Sequence, residues 1–211
     1  MIKINEIFFS IQGESSYTGI PTVFVRTSGC PLRCTYCDTQ YAYYDGEKIS
    51  IDAIIEKIKS FPTKYVCVTG GEPLSQTNSN ELMSRLCEMD YKVSIETSGA
   101  VSCEFVDKRV KKIIDIKTPD SGAADTFIMK NLDHATALDE FKFVICSEKD
   151  FHWSESFVQT HLSSGQSILF SPSFGVVSEL QLARWILEKG SQARMQMQMH
   201  KYIWPPDTKG V

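Results

Sequence analysis

Short apolar runs rich in β-branched and aromatic residues recur along the chain at 22–26, 65–69, 92–96, 112–116, 140–146 and 167–170, each bounded by Gly, Pro, Asp or Ser. Runs of that length and composition predict buried strands. Between them the apolar period changes. Ile51, Ile54, Ile55 and Ile58 repeat at i, i+3, i+4 and i+7 behind Ser50, a residue type that caps helices. Leu82, Met83 and Leu86 carry a shorter version, and Leu180, Ala183, Ile186 and Leu187 repeat it near the end. Strand and helix therefore alternate about half a dozen times, which predicts right-handed βαβ units around a parallel sheet. A full eight-unit barrel takes about 250 residues, and this chain has 211. The expected fold class is α/β, a shortened, partial and open barrel of the (β/α)6 type. Residues 195–200 alternate apolar with polar, the period of an edge or closing strand. No long linker, low-complexity tract or internal repeat interrupts the pattern, so residues 1–211 read as one domain.

Charge and composition narrow the function classes. Hydrophobic residues make up 42% of the chain, enough for a packed core. The net charge of −4 disfavours a broadly basic nucleic-acid surface. No apolar run approaches the roughly 18–20 residues that span a bilayer, and residues 1–11 lack the features of a signal peptide. A cytoplasmic protein with no membrane partner is expected.

Seven cysteines are too sparse here for a disulfide-stapled scaffold. Cys67, Cys87, Cys103 and Cys146 are scattered and need no more explanation than burial. Cys30, Cys34 and Cys37 cluster in the segment Gly29-Cys30-Pro31-Leu32-Arg33-Cys34-Thr35-Tyr36-Cys37-Asp38, directly after a predicted strand. Loops at the carboxyl ends of strands are where α/β active sites collect. Structural zinc wants four ligands, usually as two close pairs, and no second pair lies nearby. A redox dithiol leaves one cysteine unexplained. Three thiolates on an iron-sulfur cubane leave one iron open to another ligand, and that reading is favoured, with zinc as its competitor.

The Cys-x3-Cys-x2-Cys spacing, with Tyr36 before the last cysteine, resembles the signature loop of the radical S-adenosylmethionine (SAM) superfamily. The resemblance implies a [4Fe-4S] cluster on Cys30, Cys34 and Cys37, with SAM chelated to the open iron. An electron from the cluster would then cleave SAM to a 5′-deoxyadenosyl radical that abstracts substrate hydrogen. Thr69-Gly70-Gly71-Glu72-Pro73 resembles the superfamily's GGEP segment. It is expected to let the backbone approach a ligand, with Glu72 and the peptide groups receiving SAM's ammonium.

The N-terminal third points further. Ser10 and Gln12-Gly13-Glu14 interrupt apolar stretches, and Arg26 lies within an apolar strand. Taken singly, these read as a hairpin turn and an outward-facing charge. Together with Cys37-Asp38-Thr39 they resemble the 7-carboxy-7-deazaguanine synthase family. That resemblance implies a lyase of queuosine and 7-deazapurine biosynthesis, acting on 6-carboxy-5,6,7,8-tetrahydropterin by ring contraction with loss of ammonia. It also implies a pterin site at Ile11, Gln12, Gly13, Glu14, Arg26, Thr69 and Pro206, and Mg2+ at Thr39. SAM contacts follow at Tyr36, Gly71, Glu72, Asp115, Ile116, Lys117, Ser171, Pro172, Ser173 and Phe174. A one-electron donor such as flavodoxin or ferredoxin and a homodimer are implied likewise. This chain departs from the family pattern at Ser15, where a glycine is common, and at Asp115-Ile116-Lys117, where many members have Ser-Pro-Lys. The competing readings are a glycyl-radical enzyme activase, which shares the cysteine loop and GGEP segment, and a non-enzymatic zinc-binding module.

Overall fold

The computed structural model describes residues 1–206 and 208–211. Among the described residues nine strands form a single sheet: β1 (Ile2–Ile11), β2 (Pro21–Thr27), β3 (Glu47–Ile49), β4 (Tyr65–Gly70), β5 (Lys92–Thr97), β6 (Lys111–Asp115), β7 (Glu140–Ile145), β8 (Ser167–Pro172) and β9 (Arg194–Met195). Their order is β3-β1-β2-β4-β5-β6-β7-β8-β9. From β2 to β9 every neighbour pairs in parallel, whereas β1 pairs antiparallel with β2 and β3. The ends of that order do not pair, so the sheet is open, as expected. The predicted strands all form, within one or two residues of their expected ends.

The helices are α1 (Ile51–Lys59), α2 (Asn78–Glu88), α3 (Glu148–His161), α4 (Glu179–Lys189) and the short α5 (His200–Ile203). Ser50 caps α1 by accepting the Ala53 N–H at 3.2 Å, and Ile51, Ile54, Ile55 and Ile58 all point into the core. Full burial of such a side chain contributes about 1.5–3 kcal/mol. Together with α2, this helix covers Val23, Val25, Val66, Val68 and Ile95 on one half of the sheet. Phe141, Phe143, Ile145, Phe151 and Phe170 form a second, aromatic core under α3 and α4.

Three expectations need correction. Strand–helix alternation is not maintained: β5 connects to β6 without an α-helix, and β6 to β7 through short 3-10 turns. In α4 the buried face is Leu182 with Trp185 and Ile186 half-buried, while Leu180 and Leu187 face solvent. The 195–200 alternation gives only the two-residue edge strand β9 before the chain turns into α5, and its polar positions are the inward ones.

Candidate active site

Side chains alternate across a strand, so the face turned away from the helices carries its own set of residues. Phe8 lies opposite Phe24, Glu6 opposite Arg26, Arg26 beside Thr69, Glu96 beside Ile113 and Asp115 beside Lys142. With the loops above them, this face lines a cleft of about 620 Å³. Helix packing claims the other face, which leaves the cleft face free to hold charge.

The substrate-side residues expected from sequence, Ile11, Gln12, Gly13, Glu14, Arg26, Thr69 and Pro206, all line this cleft. Gln12–Glu14 is indeed the loop joining β1 and β2, and it is cleft wall as well as turn. Arg26 is not an outward charge. Its Nε donates to Glu6 Oε1 at 2.7 Å, and the Tyr41 hydroxyl donates to the same oxygen at 2.8 Å. Burial opposes the Arg26 charge, but Tyr41 and Glu6 outweigh it and raise its pKa further. Among the described residues its terminal guanidinium nitrogens have no hydrogen-bond partner. Phe8 and Phe24 stack beside it with centroids 4.9 Å apart, making a flat apolar surface in the cleft wall.

Glu14 is the most heavily bonded of the carboxylates that line the cleft. It accepts from Lys142 Nζ, from Gln198 Nε2 at 2.7 Å and from Gln196 Nε2 at 3.4 Å. Burial pushes its pKa up, yet Lys142, His200 and Gln198 together hold it below the ordinary carboxylate value. Lys142 also stands 3.6 Å from Asp115 Oδ2, which Lys117 approaches at 3.1 Å. Glu96 takes the Thr69 hydroxyl at 2.9 Å and Gln12 Nε2 at 3.5 Å. His200 packs on Gly13, where any Cβ would collide with the imidazole. Lys201 pairs with Asp38 at 2.7 Å, and Thr39 donates to the same carboxylate at 2.9 Å.

Cys30, Cys34 and Cys37 reach the cleft from the loop after β2. Burial raises the thiol pKa of Cys30 and Cys34. Among the described residues, no three His, Cys, Asp or Glu side chains converge on one metal-sized point. Facing the same space, the buried Tyr36 hydroxyl and Asp115 Oδ1 have no partner among the described residues. Unpaired buried polar atoms are costly, and atoms like these beside a cleft mark where a ligand's polar groups fit.

Within the GGEP segment, Glu72 departs from its expected role. Glu72 is fully buried behind the cleft, where its carboxylate accepts from Leu74 N–H, the Thr97 hydroxyl, and the N–H and hydroxyl of Ser98. A carboxylate so engaged braces two loops and is not offered to SAM's ammonium. Gly71 lines the cleft but is glycine for packing: a Cβ there would sit 2.6 Å from Cys30 Cβ. Ile116, Ser171 and Pro172 are likewise buried behind the wall, whereas Asp115, Lys117, Ser173 and Phe174 line it.

Comparison with known proteins agrees with this geometry. Residues 24–121 match the family model of the radical SAM superfamily. The 7-carboxy-7-deazaguanine synthase of Chlorobaculum tepidum is 44% identical over 100% of this chain and 97% of its own. The chain belongs to the 7-carboxy-7-deazaguanine synthase family. The family's Koribacter versatilis member is 42% identical, over the whole of both chains. A crystal structure of QueE from Escherichia coli superimposes with a TM-score of 0.78 at 23% identity, over 94% of each chain, and so shares the fold.

Membership in this radical SAM family carries a [4Fe-4S] cluster and SAM, and the three thiols with the unpaired Tyr36 and Asp115 atoms fit them. Sequence reasoning about this family member missed Glu96, Lys142, Gln198 and His200 as cleft residues. Glu96 and Lys142 carried the signal that singled out Arg26, a charge within an apolar strand. Gln198 and His200 reach the site only because the chain doubles back after β9.

Proposed function

We propose that this cleft converts 6-carboxy-5,6,7,8-tetrahydropterin to 7-carboxy-7-deazaguanine with loss of ammonia. One observation carries the reading: Arg26, the Gln12–Glu14 loop, Thr69 and Glu96 face the same cleft as the three cysteines. The terminal guanidinium nitrogens of Arg26 offer a fork to the substrate carboxylate, and Glu6 fixes its orientation from behind. Glu14, an ionised acceptor, faces the amino-pyrimidinone edge of the pterin, whose N–H groups need such a partner. Phe8 and Phe24 give the fused ring an apolar neighbour, as sites for flat heterocycles do.

In this reading the cluster and SAM, held by Cys30, Cys34 and Cys37 with Tyr36, Gly71, Asp115, Lys117, Ser173 and Phe174, supply a 5′-deoxyadenosyl radical. The chain's part is placement. The segment carrying Gln198, His200 and Pro206 forms one wall of the cleft and limits water at the reacting ring. Thr39 is the proposed Mg2+ contact. One hydroxyl is no cage, which suits an ion that keeps most of its waters and completes its shell with substrate oxygens. A one-electron donor of the flavodoxin or ferredoxin kind and a homodimeric assembly belong to the same reading. Among the described residues, no helix is long and apolar enough to cross a membrane.

Oxygen-free enzyme given SAM, reductant and the carboxytetrahydropterin is expected to form the deazapurine and ammonia, read by mass spectrometry. Cluster-loaded enzyme that cleaves SAM but makes no deazapurine would favour an activase acting on a protein instead.

A further inference from the structure

We propose that Lys142 is a positioning residue for the pterin: by pairing with Glu14 it keeps that carboxylate an aimed acceptor for the substrate's N–H edge. The inference rests on the proposed pterin reading and deepens it. Nothing in the cysteine loop, the GGEP segment or the Gln12–Glu14 motif points to Lys142.

The side chains of Lys142 and Glu14 are 10% and 9% exposed, so neither charge is carried by bulk water. An isolated carboxylate in such a place takes up a proton, and a protonated carboxyl presents a donor where the pterin edge also presents donors. The groups around Glu14 come from several elements. From β7 comes Lys142, whose ammonium hydrogen-bonds to Oε2. From beyond β9 come the neutral amides of Gln196 and Gln198. From α5 comes His200, whose burial lowers its pKa against the pull of the Glu14 carboxylate. From β6 comes Asp115, 3.6 Å from the same ammonium, and β5 contributes the negative charge of Glu96 to its surroundings. Lys142 thus puts an ammonium directly on the Glu14 carboxylate, with Asp115 beside it.

Direction matters as much as charge. Gln198 and Lys142 grip different oxygens of Glu14, which fixes the carboxylate plane. The Glu14 N–H is held by Gln12 Oε1 at 3.2 Å, so the loop itself cannot re-aim the group.

The test compares the Michaelis constant for the pterin across pH in wild type, Lys142→Met and Lys142→Arg, with iron content and far-UV circular dichroism as folding controls. Lys142→Met is expected to raise KM roughly 10- to 100-fold at neutral pH, the range of a lost hydrogen bond to a charged group, with a much smaller change in kcat. The loss should shrink as pH rises toward about 8–9, where an unpaired buried carboxylate ionises. Lys142→Arg should restore the wild-type pH profile. A Lys142→Met enzyme with unchanged KM, or with a raised KM that ignores pH, overturns the proposal.

Should Lys142→Met not fold, Glu14→Gln is compared with Glu14→Gln/Lys142→Met, which buries no lone charge. Once the carboxylate is gone, removing Lys142 should add little to KM, whereas multiplying losses would show that it acts independently of Glu14. If wild type itself does not turn over the pterin, the substrate reading fails. If wild type does and the variants behave like it, only the role of Lys142 fails.

Discussion

Ser15 follows the substrate loop with φ = +67°, in the left-handed region that side-chain-bearing residues adopt at a cost of about 1–2 kcal/mol. Two contacts offset the strain: its N–H donates to Gln196 Oε1 at 2.7 Å, and its hydroxyl accepts the Tyr17 N–H at 3.1 Å. A glycine would adopt this backbone without that cost. Ser15→Ala should lose about 1 kcal/mol by removing the hydroxyl contact and keeping the strain, whereas Ser15→Gly should be at least as stable as wild type. Chemical denaturation of the three proteins checks that order. Single residues were legible in sequence where their chemistry clashed with their surroundings. Arg26 stood out as a charge in an apolar strand, and the same signal at Glu96 and Lys142 went unread. Glu72 could not have been read correctly. Its partners Thr97 and Ser98 lie on the far side of α2 in sequence, and the local Leu74 N–H contact alone does not distinguish a brace from a ligand contact.

Elements were legible where one face is buried and opaque where packing chooses among faces. The isoleucines of α1 coincide with its buried stripe, because no other apolar residue in that helix competes. In α4 apolar residues surround the helix, and the aromatic core beside it selects Leu182, Trp185 and Ile186 over Leu180 and Leu187. The cysteine loop and the GGEP segment looked like separate motifs but are one unit. Glu72 N–H donates to the Gly29 carbonyl at 2.8 Å, and Gly71 leaves no room for a Cβ against Cys30. Gly71→Ala should therefore push the cysteine loop out of place without unfolding the sheet. After anaerobic reconstitution, iron and sulfide per chain should fall well below wild type while the circular dichroism spectrum holds. A full complement of iron in that variant would show that the two loops are not mechanically joined.

At the scale of the whole molecule, the sheet divides its labour between faces. Aliphatic and aromatic residues meet the helices, and charges collect on the opposite face, where the cleft spares them from helix packing. The open parallel sheet was legible from chain length and strand count. The return of residues 196–206 and 208–211 across the cleft was legible only at Pro206, and there through the family resemblance, because the pull on that segment comes from Glu14, Gly13 and Asp38, far earlier in the chain. The proposed chemistry depends on three thiols that hold a [4Fe-4S] cluster and leave one iron open to SAM. Electron paramagnetic resonance of the reduced, oxygen-free protein tests this most directly. The expected result is a [4Fe-4S]+ signal that changes when SAM is added and binds the open iron. Stoichiometric zinc in place of iron, or a cluster signal that SAM leaves unmoved, would contradict it.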